Sequence, residues 1–386
     1  MNSRSRRLTS IFNIEGARQR ARRVLPRVLF DYVDGGADDE ITLIANTNAF
    51  RSVTFCPRTG NDITKPKLDV SLFGTELSLP ILLAPCGGVR LIHPDGDRAI
   101  AFAAGVEKTA AVFSSASATP IEEIAKVATG PVWFQLYLHG DRSVTQDLVR
   151  RAQDAGFGTL FVTIDTPVQG NRERDRRHGV RMPLAPSARN VVHFAPQLAR
   201  RPRWTLGYIR DGLPTSFGSL PPSVSAKSLA STPMTWSEVA WVRGIWHGPL
   251  VVKGILTASD ARLAVEHGAD GVVVSNHGGR QLDGTPPTLS VLPTVKDAIG
   301  SRAQILMDGG IRRGSDAVKA VALGADAVMI GRPYLYGLAA GGSQGVRRVL
   351  SILRADLERT LILLGAPSIA SVDHTFVEAR PAAFLL

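Results

Sequence analysis

The chain has 386 residues, 44% of them hydrophobic, so it can bury one large α/β core, and its two cysteines, Cys56 and Cys86, exclude a disulfide framework. Two arginine-rich segments, residues 1–30 and 171–210, account for the formal net charge of +11, but without interleaved aromatic residues or zinc-ligand spacing they predict neither a nucleic-acid site nor a metal site. No apolar run reaches the length of a membrane span and no signal-peptide core follows the start, so we expect a cytoplasmic protein whose membrane contact is at most peripheral, on the inner face.

In chain order, a helical segment of about residues 1–78 precedes eight short apolar runs that are predicted to be strands. Helix-like stretches separate many of them and end at Gly-Ala pairs, which are typical helix stops. Continuous apolar strands that alternate with helices favour parallel pairing. The eight runs are 79–88, 110–118, 132–138, 159–167, 250–256, 271–279, 305–311 and 327–333.

Polar residues stand at the carboxyl ends of most of these runs, and this position distinguishes two possible folds. A doubly wound sheet would spread them along an edge, whereas a closed (β/α)₈ TIM barrel brings them to one mouth, where such enzymes keep their chemistry. The pattern therefore predicts a single domain with a barrel at about 79–365. The polar residues are Ser114, Gln135, Tyr137, Thr163, Asp165, Lys253, Ser275, His277 and Asp308.

One connection, residues 168–249 after the fourth strand, is far longer than a usual crossover. It is rich in arginine and also carries Trp204, Tyr208 and Ile209. Arginines beside interfacial aromatic residues suit a peripheral contact with an anionic membrane, while a solvated lid is the alternative. The arginines are Arg189, Arg200, Arg201, Arg203 and Arg210.

A phosphate site is predicted after the seventh and eighth strands, at "MDGGIRRGSD" (307–316) and "MIGRP" (329–333). Glycines let backbone amides approach an anion, the helix after Gly314 would point its positive end at it, and Arg312 and Arg332 supply planar donors. Lys253, on the fifth strand, has no evident partner other than a molecule bound in the mouth. A lysine there could stabilise charge on a flavin ring, whose polar edge could bond to Ser114, Gln135 and Thr163.

The motifs "DYVDGGADDE", "FQLYL", "VKGIL", "SNHGGRQLDG", "DGGIRRGSD" and "MIGRPYLYG" closely resemble the FMN-dependent α-hydroxy-acid dehydrogenases and oxidases, over about residues 10–365. The resemblance implies a barrel that holds FMN, a 2-hydroxy-acid substrate, a 2-oxo-acid product and a homo-oligomer, a tetramer in this family. It implies that His277 is the active-site base, supported by Asp165, with Tyr137 and Lys253 also in the catalytic set. Substrate contacts are implied for Tyr32, Tyr137, Arg172, His277 and Arg280. FMN contacts are implied for Ala84, Pro85, Cys86, Ser114, Gln135, Thr163, Lys253, Ser275, Asp308, Gly309, Gly310, Arg312, Gly331 and Arg332.

The residue chemistry agrees with these implied roles. Two arginines can hold a carboxylate bidentately, and a histidine paired with an aspartate can take a proton near neutral pH. Two mechanisms of substrate oxidation are compatible with these residues: hydride transfer with removal of the hydroxyl proton, and a carbanion route through the α-carbon.

Two positions bear on the choice within the family. Gly87 stands where oxidases of this family typically have alanine and mandelate and bacterial lactate dehydrogenases typically have glycine. Ala116 stands where glycolate oxidase has a tryptophan, so a substrate larger than glycolate is expected. We therefore expect an L-2-hydroxy-acid dehydrogenase, for a lactate- or mandelate-like substrate, that uses a quinone or similar acceptor. The alternatives are an oxygen-using oxidase, a peptide-modifying flavoenzyme of the superfamily, another FMN barrel such as an isomerase, and a non-catalytic flavin-binding or membrane-surface scaffold.

Overall fold

The computed structural model of the chain describes residues 8–139, 141–178, 195–212, 214, 217–220 and 232–379. Its N-terminal segment is helical only as far as about residue 51, so the prediction of a helical segment to residue 78 is wrong for the rest. The helices are α1 (Ile14–Val24), α2 (Arg27–Asp34) and α3 (Ile41–Asn48), followed by a 3₁₀ turn (Ala49–Arg51). The strands are β1 (Val53–Phe55), β2 (Val70–Leu72) and β3 (Thr75–Leu77).

Eight parallel strands then close into a barrel in which chain neighbours pair with each other, and the last strand pairs with the first. Each lies within its predicted run or starts one residue before it, so the TIM barrel is confirmed and the doubly wound sheet is wrong. The barrel strands are β4 (Ile81–Leu83), β5 (Ala111–Ser114), β6 (Val132–Leu136), β7 (Leu160–Thr163), β8 (Leu250–Ile255), β9 (Gly271–Val274), β10 (Gln304–Asp308) and β11 (Ala327–Ile330).

Helices cover the outside of the barrel because alternate strand residues point outward and must be buried. The last helix is bent at Gly341 and Gly342, where the backbone leaves helical geometry. The helices are α4 (Val89–Ile92), α5 (Gly96–Val106), α6 (Ile121–Val127), α7 (Arg142–Asp154), α8 (Glu173–Arg177), α9 (Pro202–Asp211), α10 (Trp236–Ile245), α11 (Ala258–Glu266), α12 (Thr288–Ile299), α13 (Gly314–Ala322) and α14 (Arg332–Leu364). Two 3₁₀ turns (Ile369–Ser371, His374–Phe376) lead to β12 (Val377–Ala379), which pairs antiparallel with β1.

The amino-terminal end of the barrel is closed by the β2–β3 hairpin. Phe73, at its turn, meets Trp133 edge to face with ring centroids 5.6 Å apart, and Trp133 stacks on Phe161 at 5.8 Å. These rings lie in the barrel interior with small and branched residues from the other strands. Within the described residues, side chains therefore fill this end of the barrel.

The long connection 168–249 is partly helical, since α8, α9 and α10 lie within it. The last of these, α10, is the crossover helix that precedes β8, so the connection is a barrel unit with an insertion before its helix. Residues 179–194 and 221–231, and with them Arg189, lie outside the described part of the chain. Among the described helices, none is long and apolar enough to cross a membrane.

Candidate active site

A cavity of about 960 Å³ opens at the carboxyl ends of the barrel strands. It is bordered by the loops that follow the strands, by α2 and by the described start of the long connection. Fifteen of the predicted site residues line it, which supports the expectation that strand-end polar groups share one mouth. They are Tyr32, Ala84, Pro85, Cys86, Tyr137, Arg172, Lys253, His277, Arg280, Asp308, Gly309, Gly310, Arg312, Gly331 and Arg332.

His277 lies on the turn after β9 and is paired with Asp165, which follows β7. Its Nδ1 is 3.0 Å from Asp165 Oδ1, so the second ring nitrogen is left for another partner. Burial alone would raise the pKa of Asp165, but the charge and hydrogen bond of His277 and the ammonium of Lys253 lower it below its usual value. Gly254, at a register shift in β8 with φ of +112°, makes room for Asp165, because a Cβ there would be 2.7 Å from that side chain. The carboxylate is therefore held ionised against the imidazole.

Arg280 and Arg172 lie next to each other at the mouth. One terminal nitrogen of Arg280 donates to the backbone oxygens of Tyr32 (2.7 Å) and Gly35 (2.9 Å), and its guanidinium lies over the Tyr32 ring. Burial, and then the charge of Arg280, lower the pKa of Arg172 to about 10. Two half-buried guanidinium groups side by side repel each other, and an anion bound between them would relieve that repulsion.

Two tyrosines border the same part of the cavity. The Tyr32 hydroxyl donates to the backbone oxygen of Gly87 at 3.3 Å. Burial, and then the charge of Asp165, raise the pKa of Tyr137 above its usual value, which keeps its hydroxyl protonated and able to donate.

Four of the predicted cofactor contacts do not border the cavity but lie beneath it, and they are Ser114, Gln135, Thr163 and Ser275. Gln135 accepts from Ser114 Oγ at 2.6 Å and donates to Thr163 Oγ1 at 2.9 Å, which links three neighbouring strands. The polar groups of Ser114, Gln135 and Thr163 thus satisfy one another within the barrel, while Ser275 Oγ accepts from Lys253 and from the amide of His277.

Lys253 has two protein partners, so the expectation that only a bound molecule could pair with it is wrong. Its Nζ is 2.9 Å from Asp308 Oδ2 and donates to Ser275 Oγ at 2.7 Å. Burial alone would lower the pKa of Lys253, but the carboxylates of Asp308 and Asp165 raise it. The pairing was not visible in the sequence because Asp308 follows Lys253 by more than fifty residues.

Among the side chains that line the cavity, Asp308 Oδ1 and Arg332 Nε are buried polar atoms that have no hydrogen-bond partner within the described ranges. The remaining Arg332 nitrogens donate to the backbone oxygens of Gly278 (2.9 Å) and Gly35 (2.8 Å). Burial, and then the charge of Arg280, lower the pKa of Arg332 to about 10. A buried acceptor and a buried cationic donor left unsatisfied indicate a polar, anionic ligand.

The backbone amides at and just before the start of the helix at Gly314, where a phosphate site is predicted, already have partners within the protein. The amides of Arg312 and Arg313 donate to Asp316 Oδ2 at 2.8 and 2.9 Å, and that of Gly314 donates to Asp356 Oδ2 at 2.8 Å. The N-terminus of α13 is thus capped within the protein, because it packs against α14.

One wall of the cavity is built from small residues. A Cβ at Gly87 would lie 3.6 Å from the backbone oxygen of Ala116 and 3.7 Å from its Cβ. Phe217, at the returning end of the long connection, lines the same cavity, and the next residue, Gly218, donates its amide to the backbone oxygen of Ser117 at 2.9 Å. The side chains of this part of the lining, Ala116 and Phe217, are therefore apolar.

The aromatic residues of α9 point inward, contrary to the expectation that they form an interfacial surface. Trp204 Nε1 donates to the backbone oxygen of Leu91 at 3.2 Å, and Tyr208 is buried with its hydroxyl on the backbone oxygen of Arg90. Ile209 is exposed, as expected, and so is Leu206. Of the predicted arginines, Arg200 and Arg210 are exposed, while Arg201 Nε donates to the backbone oxygen of Leu25 at 2.9 Å.

Sequence reasoning missed two groups that hold the catalytic turn. Gln281 Nε2 donates to the backbone oxygens of Asp165 (3.0 Å) and Val168 (2.9 Å), and so fastens the loop after β7. Asn46 and Asn276 form a buried pair of amides. The position of Gln281 directly after Arg280 could have indicated a role in the site. Asn46 lies in an ordinary helical stretch, where the sequence gives no such indication.

Three comparisons with known proteins agree with this geometry. The family described as FMN-dependent dehydrogenase matches residues 21–379. The chain is 40% identical over 375 residues to an L-lactate oxidase of Nostoc sp., covering 96% of this chain and 99% of that protein. It is 38% identical over 378 residues to the (S)-mandelate dehydrogenase of Pseudomonas putida, covering 96% and 94%. A crystal structure described as that of the monotopic membrane protein (S)-mandelate dehydrogenase superposes with a TM-score of 0.89 at 38% identity, covering 96% of this chain and 100% of that one.

Proposed function

This chain belongs to the FMN-dependent dehydrogenase family, and from that premise we propose that it oxidises an L-2-hydroxy acid with an apolar substituent to the 2-oxo acid. We further propose that the electrons leave to a quinone or a similar carrier. The observation that carries the proposal is the placement of the His277–Asp165 pair and of Arg280 and Arg172 on one cavity.

The residues around Asp308 and Arg332 fit FMN. Asp308 Oδ1 is a buried acceptor that suits a hydroxyl of the cofactor's sugar chain, and Arg332 Nε is a buried cationic donor that suits its phosphate, with Arg312 beside it. Lys253, fixed by Asp308, would lie against the flavin ring. When bound, FMN supplies the acceptor for the two electrons of the oxidation.

The protein's own groups then orient the substrate and move the proton. Arg280 and Arg172 would clamp the carboxylate, and the hydroxyls of Tyr32 and Tyr137 would donate to its oxygens or to the substrate hydroxyl. The free nitrogen of His277 takes one proton, and Asp165 stabilises the imidazolium that forms. Either the hydroxyl or the α-carbon can be the source of that proton, and both routes give the same 2-oxo acid.

The apolar wall supports a substituent larger than that of glycolate. Gly87, Ala116 and Ala118 leave room on this side, and Phe217 offers an aromatic face. Gly87 is not required by packing, because an added Cβ would make only ordinary van der Waals contacts. Glycine is also what mandelate and bacterial lactate dehydrogenases typically have at this position, and that likeness supports the dehydrogenase assignment.

A two-stage experiment tests this function. Flavin absorbance is first followed under anaerobic conditions with a panel of L-2-hydroxy acids, and we expect fast bleaching by mandelate- or lactate-like acids and slow bleaching by glycolate. A quinone analogue or air is then admitted, and we expect the quinone to restore the absorbance much faster than air.

Each stage has an outcome that contradicts one part of the proposal. A flavin that no hydroxy acid bleaches would remove the assigned activity and favour the non-catalytic alternative. Fast reoxidation of the flavin by air, with stoichiometric peroxide, would show that the protein is an oxidase. One of the relatives is named as an L-lactate oxidase.

We also propose that α9 binds the surface of an anionic membrane. Leu206 and Ile209 are 62% and 73% exposed on this helix, and Arg200 and Arg210 flank them. Exposed apolar residues beside arginines suit an interfacial contact, and a similar structure is described as that of a monotopic membrane protein. The attachment would be peripheral.

The double variant Leu206→Glu/Ile209→Glu is expected to lower co-sedimentation with vesicles containing anionic lipid by about tenfold or more, since burying each side chain is worth about 1.5–3 kcal/mol. The matched control is Leu363→Glu, which changes a residue of 70% exposure on α14. Equal binding of wild type and double variant would overturn the role of α9, and wild-type binding that is absent at all salt concentrations would overturn membrane attachment.

A further inference from the structure

The turn that carries His277 and Arg280 has an unusual backbone. His277, Gly278 and Gly279 have φ values of +58°, +64° and +71°, so three successive residues are left-handed. For histidine this conformation is uncommon and costs free energy, and it persists only where surrounding contacts enforce it. Something outside the turn must therefore hold it.

Besides the contacts of Arg332 with the Gly278 oxygen and of Asp165 with His277, two hydrogen bonds that hold the turn come from the side chain of Asn276, which is 4% exposed. Its Oδ1 accepts the amide of Gly279 at 3.2 Å, and its Nδ2 donates to the backbone oxygen of Pro286 at 3.2 Å. Asn276 thus joins the two ends of the segment from 276 to 286 and closes the left-handed turn.

Asn46, from α3, completes this arrangement from the other side. Its Nδ2 donates to Asn276 Oδ1 at 2.8 Å, and its Oδ1 accepts from Asn276 Nδ2 at 2.9 Å and from the amide of Thr288 at 3.2 Å. Asn46 is 2% exposed, and a Cβ at Gly310 would lie 2.0 Å from its backbone oxygen. The residue therefore touches both the catalytic turn and the loop after Asp308.

We infer that Asn46 is a positioning residue: through its reciprocal amide pair with Asn276 it holds the left-handed turn that presents His277 and Arg280 to the substrate. Two amides that each donate and accept fix their relative orientation, and a buried, fully paired contact of this kind specifies one geometry. The inference rests on the proposed function only for the roles of His277 and Arg280.

The test compares Asn46→Ala with Asn48→Ala, a control on an exposed position of the same helix. For Asn46→Ala we expect kcat/KM per bound FMN to fall by up to about 10²-fold, with changes in both kcat and KM, because the base and the clamp share one turn. Asn48→Ala should match wild type. In a cycle with Asn276→Ala, the second substitution should add little to the first, since both break one pair.

Asn46→Asp provides a second variant of the same shape should Asn46→Ala fold poorly. Its carboxylate can still accept from Asn276 and Thr288 but no longer donates to Asn276 Oδ1, so a fall in kcat/KM is again expected. Wild-type kcat/KM per bound FMN in a folded Asn46 variant, even one with a lower melting temperature, would overturn the positioning role.

Amide hydrogen exchange keeps this inference separate from the proposed function. The peptide covering 276–284 should exchange faster in Asn46→Ala, while a peptide from α5 should not change. Unchanged protection of 276–284 would contradict the inference whether or not the protein oxidises hydroxy acids.

Discussion

The variant His277→Asn is expected to keep its FMN and to lose about 10²- to 10⁴-fold in the rate of flavin reduction by substrate, the usual contribution of a general base. The backbone at His277 is left-handed, with φ of +58°, and asparagine tolerates that conformation better than alanine does. The loss would thus reflect the missing imidazole rather than a collapsed turn. Rapid-mixing measurements of flavin absorbance under anaerobic conditions give the rate.

The control is Asp165→Asn, which keeps the shape of the side chain next to His277 but removes the charge that stabilises the imidazolium. We expect a smaller loss than in His277→Asn. If His277→Asn reduces its flavin at the wild-type rate, the base lies elsewhere and the assignment to His277 is wrong.

Arg280→Lys is expected to raise the half-saturating substrate concentration by about 10- to 100-fold, because a hydrogen bond to a charged group contributes roughly 1.5–3 kcal/mol and an ammonium cannot reproduce a bidentate grip. Arg280 is held rigid by the backbone oxygens of Tyr32 and Gly35, whereas a lysine would keep its charge but lose that fixed direction. Titration of flavin reduction with substrate measures the effect.

Two further variants, Arg172→Lys and Arg176→Lys, show which arginine binds the substrate carboxylate. Arg172 is half-buried next to Arg280 and should show a comparable rise, whereas Arg176 is an exposed arginine on the cavity and should remain near wild type. An unchanged half-saturation in Arg280→Lys, with a large rise in Arg172→Lys, would place the carboxylate wholly on Arg172.

The barrel was predictable from the sequence because its signals are local. Each strand is a short apolar run, each run is followed by polar residues, and parallel neighbours must place those residues at one end. The turn from Ser275 to Arg280 was predictable for the same reason, since strand end, glycines, base and cation are contiguous. The eight strands accordingly lie within the predicted runs or start one residue before them, and fifteen of the predicted site residues line one cavity.

Contacts between distant segments could not be predicted in this way. Helical periodicity shows that Trp204 and Tyr208 lie on one face of α9, but not that this face covers Leu91 and Arg90 rather than meeting solvent. The glycine and arginine pattern at 312–314 suggests an anion site, but not that Asp316 and Asp356 already cap those amides.

The sequence by itself determined the fold, the mouth of the barrel and fifteen of the residues that line it, because spacing along a strand or a turn specifies which residues are neighbours. Only the tertiary structure decided how those groups are held. The pairing of Lys253 with Asp308 and of Asn46 with Asn276 joins segments that no spacing rule connects. Burial decides such pairs, since a polar group without water must find its partner wherever the packed chain brings one.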